Sequence, residues 1–224
     1  MKRLLIIFTA LLMFATTMSA GEKLTIRDIT GSKFSAKMVN GMNPISGTDT
    51  YARIEGKKIV SYSFKTGKQV SVLFDADNTI GKKIDGFDSY IFSPDGKRML
   101  IQTKTEKIYR RSYKAEFYIY NIASRRLDPL SDGGPQQVPT WSNDGLQVAF
   151  VRDNNIFLVK LLYDNAEIQV TKDGKRNEVI NGLPDWVNEE EFGFNRALTF
   201  NADGTMICWL RYDEKRVKTY SLQM

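Results

Sequence analysis

Residues 185–192, Asp-Trp-Val-Asn-Glu-Glu-Glu-Phe, place four carboxylates in one short stretch whose second and last residues are aromatic. Such density suits three kinds of chemistry: a hard cation, an ammonium or guanidinium held by charge-assisted hydrogen bonds, or plain solvation of a helix start. Asp185 follows Pro184 and can open a short helix, because aspartate is a good N-cap and the helix dipole favours carboxylates in the first turn. Helical neighbours diverge by about 100°. Glu189, Glu190 and Glu191 therefore cannot all aim at one point, but two neighbours can share a cation. Consecutive glutamates lack the alternating oxygen-ligand spacing of calcium loops. With no histidine beside them, two such carboxylates suit an ammonium or guanidinium, at about 1.5–3 kcal/mol per hydrogen bond when desolvated and much less when exposed. A solvated acidic helix start remains open beside amine capture. Trp186 and Phe192 argue for a docked, partly buried element.

The chain contains no histidine, so neither a Ser-His-Asp nor a Cys-His arrangement can be assembled from it, and no catalytic residue is assigned. Histidine-ligated and thiolate zinc sites are excluded as well, and no metal or cofactor is expected. The single cysteine, Cys208, lies between Ile207 and Trp209, which predicts a buried thiol. Lys2 and Arg3, an apolar run from Leu4 to about Ala15 and a small-residue end at Ser19-Ala20 read as a signal peptide over 1–20. Export to the periplasm or outer surface of a bacterium follows, with no membrane contact beyond the export signal. Removing Lys2 and Arg3 takes the formal charge from +6 to +4, and the Lys104–Arg111 cluster also holds Glu106, so no nucleic-acid partner is expected.

The element that must position the carboxylates is visible in the turns. Ser93-Pro94-Asp95-Gly96, Ser142-Asn143-Asp144-Gly145 and Asn201-Ala202-Asp203-Gly204 recur at intervals of 49 (93 to 142) and 59 (142 to 201) residues. Each is preceded in register by an aromatic, Phe92, Trp141 or Phe200, and followed by an alternating strand: Met99–Thr103, Leu146–Arg152, Thr205–Arg211. Second strands follow at Glu116–Asn121, Ile156–Lys160 and Val217–Leu222, and similar strands run from Tyr51 to Phe74. Four-stranded propeller blades recur every ~40–50 residues. The expectation is an all-β protein: a partial β-propeller of about four four-stranded blades over 45–224, led by a segment over 21–44. The ten extra residues of the last interval hold the acidic stretch as a short helical insert, and a loop that interrupts a regular scaffold is a usual carrier of binding groups. Four blades leave open edges. Either the chain is the front of a longer protein or it self-associates through those edges.

Asn181-Gly182-Leu183-Pro184-Asp185-Trp186-Val187-Asn188-Glu189-Glu190-Glu191-Phe192 resembles the double-glutamate motif of the dipeptidyl peptidase IV family of serine exopeptidases. Tyr109-Arg110-Arg111-Ser112-Tyr113 with Phe117-Tyr118-Ile119-Tyr120-Asn121 is similar to that family's arginine-bearing strand pair. The resemblance implies that Glu190 and Glu191 bind the α-ammonium of a peptide N-terminus, that Arg110 orients the substrate carbonyl or pairs with the acids, and that Glu189, Asp185 and Trp186 support them. It also implies an eight-bladed propeller, a downstream α/β-hydrolase domain with the triad, release of Xaa-Pro dipeptides, and the homodimers common in the family. Asn188 stands where an aromatic is usual, Arg111 where histidine is common, and Asn201-Ala202 where Ser-Pro is usual. The competing expectation is a non-enzymatic periplasmic propeller of the Tol-complex type, an interaction module whose blades share the Asp-Gly turns.

Overall fold

The computed structural model describes residues 23–36, 41–218 and 220, and the expected signal peptide lies outside them. Met1–Asn40 and Gly41–Met224 are separate compact units. In the first, a short helix α1 (Ile26–Thr30) is closed by a capping box in which Thr25 and Asp28 exchange side-chain and backbone hydrogen bonds. None of its residues is buried.

The second unit is a stack of antiparallel sheets. The first sheet joins β1 (Asn43–Pro44), β2 (Thr50–Glu55), β3 (Lys58–Ser63) and β4 (Gln69–Asp75) in sequence order. The second adds β5 (Ile80–Gly81), β6 (Ser89–Phe92), β7 (Arg98–Lys107), β8 (Tyr113–Asn121) and β9 (Arg126–Pro129), with β5 running parallel to β9 on the outside. The third contains β10 (Gln137–Trp141), β11 (Gln147–Arg152), β12 (Asn155–Lys160) and β13 (Ala166–Gln169). This is the meander of propeller blades, and the protein is an all-β partial propeller.

Side-chain alternation explains how the blades stack. Met99, Ile101, Tyr118 and Tyr120 join Ile59 and Phe74 in a core between the first and second sheets. Their neighbours Leu100, Phe117 and Ile119 point the other way, into a core with Val148, Phe150 and Val159 of the third. Ala149, Val151 and Ile156 then face Leu198 and Phe200 of the fourth repeat. Strands buried on both faces read as near-continuous apolar runs, which is why Met-Leu-Ile and Val-Ala-Phe-Val show so little polar alternation.

The turns are built by their side chains. Ser93 Oγ accepts from Arg98 N–H at 2.9 Å, Asp95 Oδ1 accepts from Lys97 N–H at 3.0 Å, and Gly96 takes φ +67°. Ser142 and Asp144 repeat this pattern at 2.9 and 3.0 Å, and in the third turn Asn201 Oδ1 replaces the serine hydroxyl as acceptor for Met206 N–H at 2.9 Å. Asn143 reaches the next turn's Asn201 carbonyl at 3.0 Å, so neighbouring turns are tied together.

The fourth repeat departs from the expected four strands. Among the described residues it holds β14 (Val179–Asn181) paired with β17 (Arg211–Asp213), and β15 (Leu198–Phe200) paired with β16 (Ile207–Trp209). The strand expected over Thr205–Arg211 is thus broken at Leu210. No strand forms over 214–218, because Asp213 Oδ1 accepts from Lys215 N–H at 3.2 Å and turns the chain, and the rest of the expected Val217–Leu222 strand lies largely outside the described residues. Cys208 is exposed rather than buried, and among the described residues β16 pairs with β15 alone.

Candidate functional site

The acidic stretch is an excursion from a single strand. Leu210 N–H donates to Ala197 O at 2.9 Å, Gly182 N–H donates to Leu210 O at 3.0 Å, and Ala197 N–H donates to Gly182 O at 2.9 Å. Two residues far apart in sequence therefore sit side by side as successive positions of the strand that faces β16 and β17. Residues 183–196 are looped out between them. Gly182 can make this exit because it adopts φ +76°, and a Cβ there would lie 3.0 Å from Leu198 and 3.1 Å from Val151 side-chain carbons. Leu183, 7% exposed, then plugs the loop into the core beside Val151 and Ile156.

Within the excursion α2 (Trp186–Phe192) forms where the sequence predicts it. Asp185 is its N-cap, accepting from Asn188 N–H at 2.7 Å and from the Asn188 amide at 2.9 Å. Gly193 ends it at φ +71°, with its N–H on Glu189 O. Trp186 and Phe192 are 57% and 73% exposed, so the expected packing role of Trp186 and the docking role of both aromatics are not found. The helix docks by a polar clamp instead.

That clamp meets the long β7–β8 hairpin of the second blade. Both strands run beyond the expected Met99–Thr103 and Glu116–Asn121, past a bulge between Thr103 and Glu106, and carry the tip at residues 108–112 away from the sheet. Glu189, 2% exposed, accepts from Arg111 N–H and Ser112 N–H, each at 2.8 Å on one oxygen. Asn195 donates from its amide to Arg111 O at 2.9 Å. Three main-chain groups of the tip are thereby held by the middle and the far end of the insert. A buried carboxylate on two N–H donors is a strong acceptor, and leaving each donor unsatisfied would cost about 1–3 kcal/mol.

The three glutamates thus have three environments. Glu189 is consumed by the tip. Glu190, with a side chain 22% exposed, pairs with Arg110 Nε at 2.8 Å, and Glu191 is exposed. Of the six residues singled out in the sequence, Glu190, Glu191, Arg110, Glu189 and Asp185 come together around one helix, with Trp186 beside them in solvent. One guanidinium and two carboxylates leave Glu190, Glu191 and Arg110 with a net charge of −1, which one ammonium would neutralise. Sequence reasoning missed Asn195 and the two glycines. Asn195 bonds a residue 84 positions away, which no local pattern signals, whereas the Asn181-Gly182 dipeptide is a turn signal that marks the exit.

A blade array whose strand opens into an acidic helix, clamped to an arginine-bearing hairpin two blades back, defines a partial propeller with one candidate site. The family model of the dipeptidyl peptidase IV (DPP IV) N-terminal region matches residues 93–224, and the chain belongs to that family. It is 31% identical over 229 residues to a probable dipeptidyl-aminopeptidase B of Tuber melanosporum, covering 92% of this chain and 25% of that protein. To prolyl endopeptidase FAP of Bos taurus it is 30% identical over 201 residues, covering 89% and 26%. The crystal structure of Porphyromonas gingivalis dipeptidyl peptidase 4 superposes with a TM-score of 0.78 at 36% identity, over 86% of this chain and 28% of that one. The chain thus spans about a quarter of the length of these relatives. Membership in this family replaces the expected kinship with Tol-complex propellers.

Proposed function

We propose that this chain is the substrate-anchoring portion of a dipeptidyl peptidase IV-like serine exopeptidase, and that Glu190 and Glu191 bind the free α-ammonium of a peptide. The observation that carries this reading is the Glu190–Arg110 pair at 2.8 Å beside the exposed Glu191, presented by a helix whose other carboxylate is already committed. Arg110 fixes the Glu190 carboxylate and keeps N–H donors for a substrate carbonyl. Glu189 and Asn195 hold the hairpin so that the guanidinium and the acids keep their spacing. An anchor at the substrate N-terminus, placed a fixed distance from a nucleophile elsewhere in the protein, measures off two residues and so sets dipeptide release. The chain itself supplies recognition and no catalytic group, as it contains no histidine. Export, with peptides met in the periplasm or at the cell surface, belongs to the same reading.

In an intact relative, the equivalents of Glu190→Ala or Glu191→Ala abolish most turnover of an Xaa-Pro reporter, with the loss concentrated in substrate binding and positioning. Unchanged kcat/KM in both variants overturns the assignment.

A further inference from the structure

A cleft of about 270 Å³ opens against Asp185, Trp186 and Glu189 of the insert, and neither Glu190, Glu191 nor Arg110 lines it. Tyr109 and Ser112 of the hairpin tip, Arg176 and Glu214 form other parts of its wall. The Ser112 hydroxyl is buried and makes no hydrogen bond, in a residue only 9% exposed. Buried polar groups in folded proteins are overwhelmingly paired, so an orphaned hydroxyl in a cleft wall marks a place for a partner. Glu214 is partly buried, its carboxylate has no partner among the described residues, and burial, followed by the charge of Asp185, raises its pKa. Asp185, Glu189 and Glu214 against Arg176 give the lining a net charge of −2. The Tyr109 and Trp186 rings, both more than half exposed, add faces that attract cations. Among the described residues no three His, Cys, Asp or Glu side chains converge on a metal position, which directs the charge toward an organic cation.

We propose that this cleft binds the guanidinium or primary ammonium of an arginine or lysine side chain, at a site separate from the Glu190–Glu191 anchor. Glu214 and Asp185 accept from the cationic head, Ser112 Oγ accepts a further N–H, and the rings of Trp186 and Tyr109 stack on the cation. Such a site would add a preference for basic side chains to whatever the α-amine anchor selects. It stands without the anchor reading, because it shares none of its contact groups.

The test uses N-acetyl-arginine and N-acetyl-lysine methylamides, whose blocked α-amines isolate the side chain, titrated into the full chain while the Trp186 indole N–H is followed by NMR. N-acetyl-citrulline methylamide is the uncharged control. Saturable shifts are expected for one or both cations and none for citrulline. Glu214→Gln should weaken binding roughly tenfold, as loss of a charge-assisted contact does. Ser112→Ala should weaken it about threefold, within the span of a neutral hydrogen bond, while leaving the thermal midpoint unchanged or raised, since it deletes an unsatisfied group. Glu191→Gln should leave binding intact. Citrulline binding as well as arginine, full affinity in Glu214→Gln, loss in Glu191→Gln, or absence of saturation would each overturn the proposal. Loss of Xaa-Pro anchoring with intact arginine binding would instead strike the anchor reading alone.

Discussion

The third and fourth blades begin from one plan and diverge. In the third, β10 and β11 pair around Thr140–Ala149 and Trp141–Val148, and Val148, Ala149, Phe150 and Val151 are fully buried between two neighbouring sheets. In the fourth, the matching strand is cut between Gly182 and Ala197, yet the pairing resumes on the far side, Asn181 opposite Arg211 and Leu198 opposite Trp209. Blade three spends its residues on packing. Blade four keeps its outer register and uses the interruption to carry a helix to a hairpin from blade two. A helix is added to a propeller without loss of alignment when the excursion leaves and returns at adjacent strand positions.

Substitutions should separate the two blades by size of effect. Phe150→Ala in blade three, a fully buried ring stacked on Phe157 at 5.5 Å, should lower unfolding stability by about 3–5 kcal/mol, measured by denaturant titration. Phe192→Ala in the insert should stay within about 0.5 kcal/mol; a comparable loss there would erase the contrast. Next in size is Glu189→Ala, which strands two N–H donors and should cost about 2–4 kcal/mol. Limited proteolysis within 183–196 should rise in that variant, and Glu189→Gln, which keeps a carbonyl acceptor, should be milder. Gly182→Ala should cost about 1–3 kcal/mol because it combines positive φ with crowding. Gly96→Ala, at φ +67° with open space around it, should cost only the backbone part, about 1 kcal/mol. Equal losses at the two glycines would mean that the exit is not close-packed.

The smallest effect is a pH slope. Glu214 holds its proton more tightly in the folded chain than its ordinary 4.5, chiefly through burial. Its contribution is therefore complete below 4.5 and is lost as pH rises through the raised folded value. Glu214→Gln should flatten the stability profile in that window, read by thermal midpoints across pH, while a blade-three variant should leave it unchanged.

The repeat was legible because its turns are written in local residues: Ser, Asp and Gly at fixed spacing dictate the hydrogen bonds that build them. Asp185 as a cap and the divergence of the three glutamates follow from helix geometry alone. The burial of Glu189 was not legible, since its partners are backbone N–H groups 77 and 78 residues earlier that leave no side-chain signature. For the same reason Trp186 and Phe192 misled: aromatic residues beside a short helix predict apolar docking, whereas the hairpin tip offered hydrogen bonds. Cys208 was misplaced because alternation along a strand does not reveal whether another element packs on that face.

The central claim is that two of the three consecutive glutamates, and not the third, recognise a free peptide amine. Its direct test is calorimetric titration of Ala-Pro-Ala and N-acetyl-Ala-Pro-Ala into the chain and into its Glu190→Gln/Glu191→Gln form. The account predicts saturable binding of the free peptide, at least roughly tenfold weaker for the acetylated one, and no such difference in the double variant. Equal binding of the two peptides by the unaltered chain, or an undiminished preference in the variant, would contradict it.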